Sequence, residues 1–160
     1  MRLGFEIDNW SETIDKLKED PKVEFLTEPI QTDFGFMSII KDPDGRKIEL
    51  YRKKIKAIRI EIVGFVDDHQ PGFVSCRFKD AWEREHTIID KVPIFSTIHL
   101  DRNSLYPQEG IIGCELVREW MDCNGRTINT VNSGKPWGIE TTEGLTEFDI
   151  LKEQLIVVNR

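Results

Sequence analysis

The first 54 residues read as strand, helix, strand, strand, strand, and that order limits the fold more than any other feature of the 160-residue chain. Leu3, Phe5 and Ile7 alternate with Arg2, Gly4 and Glu6, the period of a half-buried strand. Asn9 is a suitable N-cap, and Glu12 three positions on completes a capping-box pattern. Trp10, Ile14 and Leu17 follow at i, i+4 and i+7, the stripe of a helix lying on a sheet. Asp20-Pro21 ends that helix, because proline disfavours helical geometry in the residue before it. Val23 to Ile30 read as extended, with Pro29 suiting an edge strand, and Phe36 to Lys41 as a further strand. Asp44-Gly45 turns the chain into a last strand, with Ile48 and Leu50 on one face and Lys47, Glu49 and Tyr51 on the other.

Composition changes after Arg52-Lys53-Lys54, a basic tract that reads as a solvated strand end or linker. Strand-like runs then dominate: 57–66, 72–78, 86–89, 111–121, 126–131 and 138–142. Gln70-Pro71-Gly72, Asn124-Gly125 and Glu143-Gly144 separate several of them as turns. One short helix is expected near Phe148 to Gln154. The chain is therefore expected to be α+β, with residues 1–54 as one small domain. Residues 55–160 are expected to form a mostly antiparallel β barrel or sandwich.

The net charge of −7 argues against nucleic acid or an anionic membrane as a main partner, since both need a basic surface. No apolar run is long enough for a membrane helix, and the N-terminus lacks the order of a secretion signal, so a cytoplasmic location is expected. Cys76, Cys114 and Cys123 have no metal or redox spacing and read as small buried hydrophobes. Asp67-Asp68-His69 reads as a turn before Pro71-Gly72, and His86 as a structural histidine at a strand start. Serine-hydrolase, P-loop and dinucleotide strings are missing from the sequence. Trp82, Phe95, Trp120 and Pro136-Trp137-Gly138 read as core aromatics or as the lining of a pocket.

The βαβββ order and the closing string DPDGRKIELY resemble a single half module of the vicinal oxygen chelate superfamily, which includes glyoxalase I, bleomycin-resistance proteins and extradiol dioxygenases. The resemblance covers about a third of the chain. It implies a cup lined by the sheet faces opposite the helices and completed by a second module. It also implies that Glu49 occupies the last-strand metal-ligand position and Arg2 the first-strand one. A guanidinium has no lone pair for a metal. Arg2 is therefore expected either to pair with Glu49 as a charge-assisted fork that holds a small anionic molecule, or to fray at the terminus. Residues 55–160 resemble an uncharacterised bacterial β domain.

Three functions are carried forward. The leading one is a non-catalytic small-molecule or protein-binding module, without cofactor, in which a homodimer completes the cup. Its ligand-binding residues would be Arg2, Glu6, Glu49 and Tyr51. An enzyme of the metal-dependent lyase or dioxygenase type, its site shared between chains, would use Glu49 as a ligand to a divalent metal. An interaction domain centred on the β-rich part is the third. The missing second module also leaves open that the β-rich remainder covers the sheet, or that the shape persists without a site.

Overall fold

The computed structural model describes residues 3–159 and divides them into two compact units, residues 3–55 with 158–159, and residues 56–157. Strand β4 (Lys47–Asp67) contributes residues to both. The basic tract expected as a linker lies inside that strand. Its residues donate and accept in the ladder to Gly35 and Phe36, which accounts for its extended form.

The first unit contains β1 (Leu3–Glu6), α1 (Trp10–Glu19), β2 (Glu24–Thr32), β3 (Gly35–Lys41) and the first part of β4. Its strand order is β2-β3-β4-β1, with β1 parallel to β4 and the other pairs antiparallel. The register sets Leu3 beside Ile48, Phe5 beside Leu50, Met37 beside Tyr51 and Ile39 beside Glu49. Trp10 and Ile14 of α1 are buried against Ile40 and Leu50, with Phe25, Phe36 and Ile48 around them. Trp10 stacks on Phe36 at 5.9 Å between ring centres. Each large side chain removed from water here is worth about 1.5–3 kcal/mol, so this small cluster holds the helix to the sheet. One expectation is corrected: Asn9 makes no side-chain cap bond among the described residues. Phe5 is half exposed.

In the second unit, the rest of β4 is joined by β5 (Phe73–Lys79), β6 (Glu85–Lys91), α2 (Val92–Phe95), β7 (Gln108–Met121), β8 (Thr127–Asn132) and β9 (Glu147–Leu151). A short 3-10 turn (Lys152–Gln154) leads to β10 (Leu155–Asn159), whose last two residues belong to the first unit. The antiparallel order is β6-β5-β4-β7-β8-β9. No ladder among the described residues joins β6 to β9, so the sheet is open where a closed barrel or a sandwich was expected. It curls around one core containing Ile58, Ile62, Val74, Ile88, Ile112, Val131 and Ile150. Phe78 of β5 meets Phe148 of β9 edge to face across that core, 5.1 Å apart.

The departures from the expected elements have local causes. Residues 148–154 are strand and turn because Phe148 and Ile150 enter the core two apart. Residues 138–142 leave the ladder because Ile139 N–H donates to Ser133 O and Thr141 N–H to Leu145 O. The unanticipated α2 begins at Val92-Pro93, where the missing proline N–H costs nothing.

Asp80 organises the β5–β6 turn. Its carboxylate accepts from the N–H groups of Trp82 (2.8 Å) and Arg84 (3.0 Å) and from Arg84 Nε (3.1 Å), and His86 Nε2 lies 2.9 Å away. Burial alone would push its pKa up; the His86 and backbone hydrogen bonds and the Arg84 charge outweigh that, leaving it below the ordinary 3.8. A carboxylate with a depressed folded pKa stabilises fully above its unfolded pKa, and that stability is lost as pH falls through the folded value. Asp80→Asn should cost about 2 kcal/mol at neutral pH and flatten the acid limb of urea midpoints measured down to pH 3. Equal acid limbs in both proteins would contradict this.

Gly35 supplies a second prediction. At φ +133° a Cβ there would lie 1.9 Å from Arg52 O, whereas at Gly125 (φ +78°) it would meet open space. Gly35→Ala should therefore destabilise by at least about 2 kcal/mol and Gly125→Ala by about 1 kcal/mol, read from denaturant unfolding.

Candidate binding cleft

Helix α1 covers one face of the first unit's sheet, so strand parity directs alternate residues to the opposite face. Gly4 and Glu6 of β1 pair with Glu49 and Tyr51 of β4, and Tyr51 and Glu49 pair in turn with Met37 and Ile39 of β3. Ile30 of β2 lies beside Met37 and is 43% exposed. A row of apolar side chains with carboxylates at one side therefore occupies the bare face. Lys53, two residues after Tyr51, sets its Nζ 5.7 Å from the Tyr51 ring centre and 4.0 Å from the Glu6 carboxylate.

A cleft of about 600 Å³ opens here. Glu49, Tyr51 and Met37 line it from the strands, with Arg52 and Lys53 along β4 and the β2–β3 turn, Thr32 to Phe34, at its edge. The turn is held firmly. Thr32 Oγ1 donates to Gly35 O at 2.9 Å, Phe34 N–H donates to Thr32 Oγ1 at 3.3 Å, and Lys54 N–H donates to Phe34 O at 3.0 Å. Because Gly35 has no Cβ, the turn sits against the β4 backbone. Phe34 is thereby kept 85% exposed, the most exposed of the large apolar side chains described. Phe36 also lines the cleft, from the residue that stacks on Trp10.

Arg52 has an unusual set of partners. Its Nη2 donates to the backbone carbonyl of Asn159, while its Nε is buried and has no acceptor among the described residues. No carboxylate within ion-pair distance of Arg52 is found among those residues either. A buried N–H without an acceptor is costly, and Arg52, as the cross-strand neighbour of Phe36, lies on the α1 face of the strand, opposite Tyr51.

Of the four binding residues expected from sequence, Glu49 and Tyr51 line the cleft. Glu6 stands beside Tyr51 in the register and reaches Lys53. Arg2 lies outside the described residues. Sequence reasoning missed Phe34, Met37, Arg52 and Lys53. The signal for the first was a large aromatic between Asp33 and Gly35, in a stretch otherwise composed for a tight turn. For a divalent metal the donor set is thin: no group of three or more His, Cys, Asp or Glu side chains gathers among the described residues. Glu49 alone does not make the several-donor site a divalent ion needs.

The other sequence candidates are engaged structurally. The His86 ring packs against Phe78 at 5.1 Å and Phe148 at 4.9 Å, and its Nε2 faces the turn-holding Asp80. His69 lies in a turn, where its N–H donates to Asp67 Oδ1 at 3.0 Å. Burial pushes the Cys76 and Cys114 thiols up to about 12, so both remain protonated. Cys123 is exposed, contrary to the expectation that all three are buried, because it sits in the turn that Asp122 holds by accepting from Asn124 N–H and Arg126 N–H. No helix of the described residues is long and apolar enough to cross a membrane.

No family model, curated protein or solved structure matches the chain.

An 85% exposed ring contributes little to folding. Phe34→Ala should therefore leave the denaturant midpoint within about 0.5 kcal/mol of the parent, whereas Leu50→Ala should cost 2 kcal/mol or more, roughly. A large loss from Phe34→Ala would mean that the ring packs in solution.

Proposed function

We propose that the first unit is a non-catalytic binding module that reuses a glyoxalase-like half cup for a small molecule, with a second copy of the chain completing the cup. The observation that carries this reading is a cleft lined by Met37, Glu49 and Tyr51, three residues whose strand parity directs them away from α1. Support comes from the strand order β2-β3-β4-β1, with parallel β1–β4 and one covering helix, which is the arrangement implied by the family resemblance. The bare face also favours a partner surface. Ile30, Met37, Ile39 and Tyr51 form an apolar row, and Glu6, Glu49 and Lys53 share that face, so a copy related by a twofold axis could oppose unlike charges. A sheet of four strands with one helix buries little apolar area for its size, and burial against a second copy would add to it.

The enzymatic alternative, a metal-dependent lyase or dioxygenase with Glu49 as ligand, needs more donors than one carboxylate per chain brings. No step is assigned to it.

Sedimentation velocity across a concentration series tests the dimer. The parent should sediment as a dimer at micromolar concentration, and Ile39→Arg on the bare face should produce a folded monomer. A parent that stays monomeric throughout, with Ile39→Arg unchanged from it, would overturn the shared cup.

A further inference from the structure

We infer that the second copy docks face to face about a twofold axis lying along Met37 and Tyr51, so that each Glu49 faces the partner's Lys53 and the partner's Ile39 walls the cleft. This deepens the shared-cup reading and rests on it. The strand ladders fix the positions on the bare face. Ile30 pairs with Met37, Met37 with Tyr51 and Tyr51 with Glu6, so these four residues lie on one line across the sheet. Two residues along the strands to one side, Ile39 pairs with Glu49, and past them Lys41 pairs with Lys47. To the other side Gly35 pairs with Lys53, and past Gly35 comes the turn carrying Asp33 and Phe34.

Two sheets packed face to face keep their strands within about 30° of one another. An axis lying across the strands reverses their direction in the second copy, so the lines on either side of the axis exchange partners. With the axis on the Met37 line, Glu49 lies over the partner's Lys53, and Asp33 over the partner's Lys41. Asp33 lines the cleft and forms no ion pair among the described residues. Each of these contacts joins unlike charges. Moving the axis one line either way destroys that match. On the Ile39 line each Glu49 would meet the partner's Glu49, and on the Gly35 line each Lys53 would meet the partner's Lys53, and like charges set against each other are costly. At the β1 end of the central line the two Glu6 carboxylates approach, each with the Nζ of its own Lys53 at 4.0 Å.

The apolar residues fit the same axis. Ile30, 43% exposed, and Met37 lie on it and meet their own counterparts. The partner's Ile39 then stands over Gly35, which raises no side chain from the face, and closes the cleft at the end where Phe34 marks its edge. The cleft acquires from the partner the wall that one copy lacks.

Other features of the molecule carry less. Trp82 and Trp120 lie 6.3 Å apart with Arg126 and Arg118 over their rings, but Asp149, Thr130 and Asp122 already satisfy the polar groups there. The acidic Asp42–Asp44 turn is neutralised by Arg46.

The test is sedimentation velocity of two variants of the full chain, Glu49→Lys and Lys53→Glu, alone and mixed. Each alone should dimerise roughly tenfold more weakly than the parent or worse, because its interface sets like charges together. Mixed in equal amounts, the two should form a heterodimer about as tight as the parent dimer, because both contacts again join unlike charges. Circular dichroism and the denaturant midpoint establish that each variant is folded. A readout independent of charge is Met37→Cys in a Cys123→Ser background, the other two cysteines being buried. Residue 37 lies on the axis and packed sheets stand about 10 Å apart, so a short bismaleimide should link two copies. If a charge variant does not fold, that crosslink decides alone. A parent that dimerises while the folded variants dimerise equally well, or do not recover on mixing, would overturn this axis and leave the shared cup standing. So would a dimeric Met37→Cys protein that gives no crosslink. A parent that stays monomeric would strike the shared cup itself, and this axis with it.

Discussion

Trp10 and Ile14, set against Ile40 and Leu50, hold a ten-residue helix to one side of a four-stranded sheet. The remaining features of the first unit follow from that contact. Once α1 covers the face bearing Leu50, the two-residue period of β4 obliges Glu49, Tyr51 and Lys53 to point the other way. The helix has no counterpart on that side within its own unit. Apolar side chains at Ile30, Met37 and Ile39 are therefore left among carboxylates and amines, on a surface suited to a ligand or a partner.

The cleft depends on a second constraint, the close approach of the β2–β3 turn to β4. Gly35 permits it because any side chain there would collide with the Arg52 carbonyl. The same approach exposes Phe34 and brings Thr32 and Asp33 to the rim. Backbone geometry at one glycine thus decides the position of the aromatic residue just before it. The second unit uses a related device at Asp80, where a buried carboxylate gathers backbone and side-chain donors to fix a turn. There the outcome is a satisfied polar cluster.

Much of the first unit was legible in the sequence because its elements carry strong local signals. The Trp10-Ile14-Leu17 stripe, the Asp20-Pro21 stop and the Asp44-Gly45 turn each specify geometry within a few residues. Glu49 and Tyr51 could be assigned to the bare face by parity alone. Arg52 and Phe34 could not, since their roles arise from contacts with Asn159 and from the turn packing on β4. Contacts between residues so far apart in the chain leave no periodic mark. In the second unit the strands at 57–66, 72–78 and 111–121 were readable from β-branched runs, and the turn at Asn124-Gly125 from glycine. Whether the sheet closes is a matter of long-range pairing. Phe148 and Ile150 also lie in a segment whose local composition suits a helix, and only burial of alternate residues makes it a strand.

The central claim is that the sheet face opposite α1 is a covered, functional surface in solution. Methionine oxidation by dilute peroxide, mapped by peptide mass, tests it directly, because Met37 lies on that face and Met121, 68% exposed in the other unit, serves as an internal reference. The account predicts that Met37 oxidises more slowly relative to Met121 as protein concentration rises through the dimerisation range. A Met37 to Met121 rate ratio independent of concentration would show that nothing closes over the face and would contradict the account.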